Sequence, residues 1–334
     1  MVAEPRASAR EVPTVSVLLP AWNEAAMLGR CLDSLLAIDW PGLEIVVCAG
    51  GSDGTLEIAR SYAGPRVTVL EQHPGEGKEV ALRRCFAASH GEIIYLTDAD
   101  CIVPEDAFRA VIAPLVDGEA DAATGTSAPP PEQRSSAFTF YQWSIVRAVE
   151  RRRPRESTGL LGRNCAVRRE ALMQTGAFGE PVPIGTDYHL AKMLMTIGRT
   201  IVFVPAAVMT PYQEDARGFL RKQSRWLRNI FAHGPRFRDR GEIIACSRTV
   251  ALGAGFFAWP LGWRWTRGAG ITVWLAAFAY LIQARLRYST ALARETGLPL
   301  EPAYLARLPW YTLLDVAAWA WPIVDLVQRR ERRW

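Results

Sequence analysis

Between residues 14 and 96 the chain alternates four short β-rich runs with helix-spaced segments, and this alternation restricts the fold more than any other feature. Residues 14–19 (TVSVLL) read as a buried strand, after which Leu28, Leu32, Leu35 and Leu36 recur at helical spacing over 25–38. Residues 43–47 (LEIVV) form a second strand, stopped by the turn Gly50-Gly51-Ser52-Asp53-Gly54 ahead of a helix over 55–62. A third strand at 67–70, a third helix at 77–89 and a fourth strand at 92–96 (EIIYL) complete the series, which ends on Thr97-Asp98-Ala99-Asp100. Strands that are apolar throughout and separated by helices predict an α/β architecture, a mostly parallel sheet covered on both faces. Ligands of such sheets sit beyond the carboxyl ends of the strands. Asn23, Glu24, Asp53, Asp98 and Asp100 all follow strand ends and are therefore the candidate ligand-binding residues.

The pair Asp98 and Asp100 carries the most chemistry. Two carboxylates one residue apart at a strand end can offer oxygens to one divalent cation, and Mg²⁺ or Mn²⁺ prefers oxygen ligands together with substrate phosphates. D-x-D is a common loop sequence, so its place after the fourth strand is what gives it weight. Other chemistries find no support. The four histidines have no Ser or Cys nucleophile in motif context, and Gly75-Glu76-Gly77-Lys78 lacks the spacing of a P-loop. The net charge of +5 is gathered in arginine clusters at 147–155, 217–240 and 329–333 rather than along one stripe. That pattern argues against a nucleic-acid partner and fits contacts with anionic lipid. Six scattered cysteines without a C-x-x-C pair read as reduced core thiols of a cytosolic domain. Residues 1–13 contain no apolar run of the kind a signal peptide needs, so the catalytic domain is expected to face the cytoplasm.

Six short motifs then occur in a recognisable order: Pro20-Ala21-Trp22-Asn23-Glu24, Gly50-Gly51-Ser52-Asp53-Gly54-Thr55, Gly77-Lys78, Asp98-Ala99-Asp100, the stretch from Gly162-Arg163-Asn164 to Glu170, and Thr186-Asp187. Over about residues 14–230 this series resembles the family-2 inverting glycosyltransferases with a GT-A-type fold. The resemblance implies a nucleoside diphosphate sugar donor, a UDP-sugar by family default, and a bound Mg²⁺ or Mn²⁺. It implies a donor site lined by Pro20, Asn23, Glu24, Asp53 and Lys78, with Asp98 on ribose, sugar or metal and Asp100 on the metal. Asp187 resembles the family's acceptor base, although Thr186 stands where members usually carry Glu. An Asp that opens a helix over 188–197 would also serve as its N-cap. Lys222, Arg225 and Trp226 lie where the family often has Gln-x-x-Arg-Trp, and spacings of three and four put them on one side of a helix. The resemblance implies that Arg225 binds diphosphate and Trp226 stacks on the acceptor; Lys222 replaces the usual Gln. As an interfacial basic helix with a Trp anchor, the same stretch has a second reading. Cys48 and Ala49 occupy the place of a base-contacting acid after the second strand.

The last 90 or so residues differ in character from the rest. Apolar segments at about 243–263, 269–284 and 308–327 are separated by arginines, and only the first and third reach about 20 residues, the length a membrane-spanning helix needs. Arg248, Asp315 and Asp325 interrupt them, and Trp259, Trp263, Trp265, Trp310, Trp319 and Trp321 fit interfacial belts. Three crossings would put Arg264, Arg267 and the four arginines of 329–333 outside; a re-entrant first segment with two crossings puts those six inside, and is the arrangement preferred from sequence. The expected organisation is a tail at 1–13, a transferase domain at 14–240 (nucleotide-sugar half 14–127, acceptor half 128–240) and a membrane-embedded region at 241–334. Function follows as transfer of a hexose to a hydroxyl of a lipid or membrane-held acceptor. A polysaccharide synthase subunit and a non-catalytic sugar-nucleotide-binding membrane protein are the alternatives.

Overall fold

The computed structural model describes residues 12–180, 182, 185–262 and 269–328. Trp263, Arg264, Trp265, Arg267 and the arginines of 329–333 lie outside the described residues, as does the expected tail up to residue 11. The chain forms two compact units, the first made of Met1–Thr126, Arg155–Pro181 and Met193–Val208, the second of Ser127–Pro154, Val182–Lys192 and Met209–Trp334.

The alternating pattern folds as expected. Strands β1 (Val15–Trp22), β2 (Leu43–Gly50), β3 (Val67–Glu71) and β4 (Ile93–Leu96) are joined by helices α1 (Ala25–Leu36), α2 (Thr55–Ser61) and α3 (Lys78–Ala87). Each crossover returns the chain to the same sheet edge direction, so β1 pairs parallel with β2 and with β4, and β2 pairs parallel with β3. After α4 (Glu105–Val116) come β5 (Ala122–Ala128), α5 (Ala137–Glu150), β6 (Cys165–Arg168), α6 (Arg169–Gln174), α7 (Thr186–Thr196) and β7 (Ile201–Met209). The seven strands lie in the order β3-β2-β1-β4-β6-β5-β7, with β6 antiparallel to both β4 and β5. Leu18, Leu19, Ile45, Ile93, Tyr95 and Phe108 are fully buried in this layer. Burial of each such aliphatic side chain stabilises the fold by roughly 1.5–3 kcal/mol, which sets the strand ends firmly enough to hold a site.

The second unit is helical: α5 with α8 (Ala216–His233), α9 (Arg240–Ala258), α10 (Ala269–Thr296) and α11 (Pro302–Val327). α5 follows the prolines at 129–131, and most of it is buried. Phe138, Phe140, Tyr141 and Trp143 share a core with Phe219 and Leu220 of α8, Leu292 of α10 and Tyr304, Leu308, Tyr311 and Leu314 of α11. The second apolar segment runs well past residue 284 as a 28-residue helix. The third apolar segment forms α11, which buries Tyr304, Leu308, Tyr311, Leu314 and Val316 and leaves Leu305, Trp310, Ile323, Leu326 and Val327 exposed. Its two acids are paired rather than exposed to lipid: Asp315 with Arg285 of α10, and Asp325 with Ser224 Oγ and Arg228 of α8. An acid inside an apolar segment thus marks an interhelical bond here, which composition alone does not reveal.

Candidate active site

In the first unit, the sequence-selected residues gather at the carboxyl ends of β1, β2 and β4. β1 delivers Pro20 and then Asn23, whose backbone is left-handed (φ 55°). Asn23 Oδ1 accepts a hydrogen bond from the Ser52 N–H at 2.8 Å, so the loops after β1 and β2 are tied together. Asp53 strengthens the tie. Its carboxylate accepts from the Thr55 hydroxyl at 2.6 Å, the Thr55 N–H at 3.1 Å and the Ala25 N–H at 3.0 Å, the last satisfying an orphan donor at the start of α1. Those bonds, the Thr55 hydroxyl foremost, hold the Asp53 carboxyl below its ordinary range. Thr55 Oγ1 in turn accepts from the Glu24 N–H at 2.7 Å. Asn23 and Asp53 therefore shape the loop that presents Glu24.

Around Asp98 the charges are arranged differently. Lys78, the first residue of α3, forms an ion pair with Asp98 Oδ1, and Arg163 Nε stands 3.9 Å from Oδ2. Arg163 is brought there by strand pairing. The antiparallel register of β6 on β4 sets Leu96 opposite Cys165, so the residues just before Cys165 flank those just after Leu96. The Thr97 hydroxyl donates to the Arg163 carbonyl at 3.0 Å, and buried Asn164 fixes the turn by accepting from Tyr95 Oη at 2.7 Å and donating to the Thr126 and Ala206 carbonyls. Two cations and an acid at one strand end suit an anionic, hydroxyl-rich ligand.

Asp100, two residues further on, is half-buried. Burial, then the charges of Asp100, Asp98 and Asp53, push the Glu24 carboxyl up to about 7, with Lys78 offsetting part of the effect. Glu24 thus reports a concentration of negative charge at the end of β4, and such a field favours a cation. Among the described residues no three His, Cys, Asp or Glu side chains could hold a metal by themselves. Mg²⁺ or Mn²⁺ binds through one or two carboxylates and completes its shell with water and phosphate oxygens. The residues present fit such an ion, with Asp100, and Asp98 beside it, as its protein ligands. All six cysteines are buried, and burial pushes the thiols of Cys31 and Cys101 far above their ordinary range.

Raised affinity of Glu24 for its proton has a measurable consequence. A carboxyl that holds its proton more tightly when folded favours the folded state at low pH, and that contribution is lost as pH rises through about 7. In chelator, Glu24→Gln is expected to melt progressively above the native protein as pH goes from about 5 to about 8. Parallel melting curves for the two proteins would contradict the charge concentration.

In the second unit, Asp187 lies in the first turn of α7, not before it. The N-cap position expected for it belongs to Gly185, whose carbonyl accepts from the His189 N–H at 2.9 Å. Gly185 adopts φ +71°, and a Cβ there would fall 2.0 Å from the Asn229 side chain, so no other residue fits. Asn229 is four residues after Arg225 on α8, one turn along the same face. The start of α7, with Asp187, therefore abuts the part of α8 that carries Arg225 and Trp226. Trp226 is 52% exposed, and Lys222 stands over the Tyr212 ring at 5.7 Å.

The rest of α7 is anchored to the start of α9. Buried Lys192 donates to Asp239 at 2.6 Å and to Glu242 at 2.9 Å, and Tyr188 Oη donates to Asp239 at 3.3 Å. Asp239 is itself the N-cap of α9. Lys192→Met leaves two partly buried acids without their cation and is expected to cost about 1–3 kcal/mol, less than for a wholly buried pair. A thermal melt within experimental error of the native protein would remove Lys192 from the account. Arg163, Thr55, Lys192 and Asn229 were not singled out from sequence; only the first two fall in motifs noted there.

Comparison with known proteins follows from this geometry. The fold is of the GT-A type: it is similar to the mannosyltransferase PcManGT from Pyrobaculum calidifontis, solved in complex with GDP-mannose and Mn²⁺. The TM-score is 0.60 at 21% identity, with 96% of this chain and 89% of that one covered. Residues 13–229 match the family described as "Glycosyltransferase like family 2", and the chain belongs to that family. A Rhizobium meliloti protein named N-acetylglucosaminyltransferase is 27% identical over 95% of this chain and 72% of its own length. One of the same name from Mesorhizobium japonicum is 28% identical over 66% of this chain, a match that spans only 56% of that protein.

Proposed function

We propose that the chain is a membrane-held inverting hexosyltransferase that moves a sugar from a nucleoside diphosphate donor to a hydroxyl of a lipid or membrane-held acceptor. The observation that carries this reading is the end of β4, where Asp98 is faced by Lys78 and Arg163 while Asp100 and Glu24 concentrate negative charge. Membership of the glycosyltransferase family supplies the reaction class. The names of the relatives make N-acetylglucosamine, carried by UDP as the family default, the first sugar to try.

In this mechanism Asp98, Lys78 and Arg163 orient the donor, and Asn23 and Asp53 hold the loop that bears Glu24 against it. Bound at Asp100 and Asp98, a divalent cation supplies charge neutralisation for the departing diphosphate. Asp187 takes the proton of the acceptor hydroxyl as its oxygen bonds to the anomeric carbon. The bond from that carbon to the diphosphate oxygen breaks on the opposite face, and the nucleoside diphosphate leaves with the electron pair. One substitution at the anomeric carbon inverts its configuration. Arg225 serves the diphosphate and Trp226 the acceptor.

The test is direct. Purified protein is incubated with a panel of nucleotide sugars, Mn²⁺ and a membrane lipid extract, and the product is identified by mass and by NMR of the anomeric centre. A glycolipid of inverted configuration is expected. Retention of configuration, or sugar transferred to water alone, would overturn the reading.

A further inference from the structure

The three apolar segments of the second unit are not equivalent. Helices α9 and α10 are long and apolar enough to cross a membrane, and in each only 11% of the apolar window is buried. α11 differs from them: one side packs with α5, α8 and α10 through Tyr304, Leu308, Tyr311 and Leu314, while Leu305, Trp310, Ile323, Leu326 and Val327 stay exposed. Exposure along α10 is also uneven. From Ala269 to Tyr280 almost every side chain but Gly270 is exposed or half-exposed, with Val273, Leu275 and Tyr280 more than half exposed. Beyond Arg285, which pairs with Asp315, the helix enters the core through Ser289 and Leu292.

The free half of α10 has α9 as its neighbour. Trp274 Nε1 donates to the Phe256 carbonyl and Trp259 Nε1 to the Gly270 carbonyl, both at 2.8 Å, while the rings of Phe256, Phe257, Trp274 and Phe278 pack together. Two antiparallel helices thus share an aromatic seam and show apolar residues, Leu252, Phe257, Ile271 and Leu275 among them, on the outside. On its other side α9 rests against α11, at a contact so close that a Cβ on Gly253 would lie 2.8 Å from Trp319 Cβ and from the Ala320 nitrogen.

We infer that α9 and α10 form a two-crossing hairpin through the bilayer, and that α11 does not cross but stays with α5 and α8 as the strut that holds the hairpin. This rests on the membrane reading above and commits to a lipid bilayer as the occupant of the exposed face. Length supports it. α9 has 19 residues and α10 has 28, rises of about 28 Å and about 42 Å at 1.5 Å per residue, so each is long enough for a hydrocarbon core of about 30 Å.

Charge supports it too. With α11 kept inside, Arg285, Arg287, Arg294, Arg307 and the arginines of 329–333 all remain on the side of α8 and its own basic residues, and only Arg264 and Arg267 are carried across. That distribution follows the positive-inside tendency, which neither arrangement considered from sequence satisfied in full, because both took α11 as a crossing segment.

Three introduced cysteines read the arrangement: Thr266→Cys between α9 and α10, Glu301→Cys between α10 and α11, and Gln328→Cys after α11. The six native cysteines are buried, so a membrane-impermeant maleimide reports the new one. Sealed vesicles of both orientations are labelled, and nucleoside diphosphate release is measured on the same preparations to show that each variant is folded. Residues 301 and 328 are expected to label from one face and 266 from the other. Labelling of 301 and 328 from opposite faces means that α11 crosses, and labelling of all three from one face means that the hairpin lies in a single leaflet; either overturns the inference. Because release is scored separately, a wrong topology with intact release leaves the transferase reading standing. Loss of release from native vesicles would count against the transferase alone.

Discussion

Asp187→Asn is expected to lower turnover by about 10²-fold to 10⁴-fold, the range over which a positioned general base contributes. Asn keeps the size of the side chain and removes its basicity. Asp187 sits in the first turn of α7, where an acidic side chain is favoured by the helix dipole, so the loss of charge is expected to cost no more than about 1 kcal/mol of stability. The fold around it is held by other groups: Gly185 against Asn229, and Lys192 with Asp239 and Glu242. The variant should therefore melt within a few degrees of the native protein and bind the donor nucleotide unchanged, a separation read by titrating nucleoside diphosphate alongside a turnover assay. Near-native transfer would move the base elsewhere, with Glu180 on one side and Glu214 and Asp215 on the other the nearest carboxylates in the chain. Asp215 is already occupied as the N-cap of α8, where its carboxylate accepts from the Gly218 N–H at 2.8 Å.

Asp100→Ala should lose activity on a similar scale for a different reason. Charge stabilisation by a bound cation is worth several kcal/mol in the transition state. Each 1.36 kcal/mol is a factor of ten in rate, so removal of its principal ligand is expected to cost on the order of 10²-fold or more. Asp100 is half-buried and its carboxylate accepts from the Cys101 thiol at 3.4 Å, so a loss of about 1 kcal/mol in stability is expected, far less than the loss of activity. The variant should also release Glu24 from its strongest charged neighbour, so the Glu24 carboxyl should ionise at lower pH than in the native protein. Added Mn²⁺ should restore no activity to Asp100→Ala at concentrations that saturate the native enzyme. Full activity in this variant, or in native protein with chelator, would remove the metal from the mechanism.

The parallel sheet was legible because its signal is local. Runs such as LEIVV and EIIYL can only be strands buried on both faces, and the polar residues that follow them must lie at the sheet's carboxyl edge. Asn23, Glu24, Asp53, Asp98 and Asp100 were picked on that ground, and each follows the carboxyl end of β1, β2 or β4. What was missed depends on pairing between distant segments. Arg163 reaches Asp98 only because β6 runs antiparallel beside β4, and no periodicity in either strand announces that register. Lys192 and Asn229 act through helix packing in the second unit, and an amphipathic stripe does not tell which polar neighbour it will meet.

The C-terminal segments also depend on pairing between distant residues. Length favoured 308–327 over 269–284 as a spanning helix, yet Asp315 and Asp325 bind Arg285 and Ser224 in the interior, whereas the shorter run is continued to Thr296 by polar turns of the same helix. Asp53 shows the complementary limit. Its motif was read as part of the donor site, and its carboxylate is engaged in bracing the loop that holds Glu24.

Release of nucleoside diphosphate from a nucleotide sugar in the presence of Mn²⁺ and a membrane lipid extract, followed together with the glycolipid formed, tests the transferase most directly. One equivalent of nucleoside diphosphate per glycolipid is predicted, with both lost on chelation and both lost in Asp187→Asn while that variant still binds the nucleotide. No release from any donor, or release that continues undiminished in chelator, would contradict it.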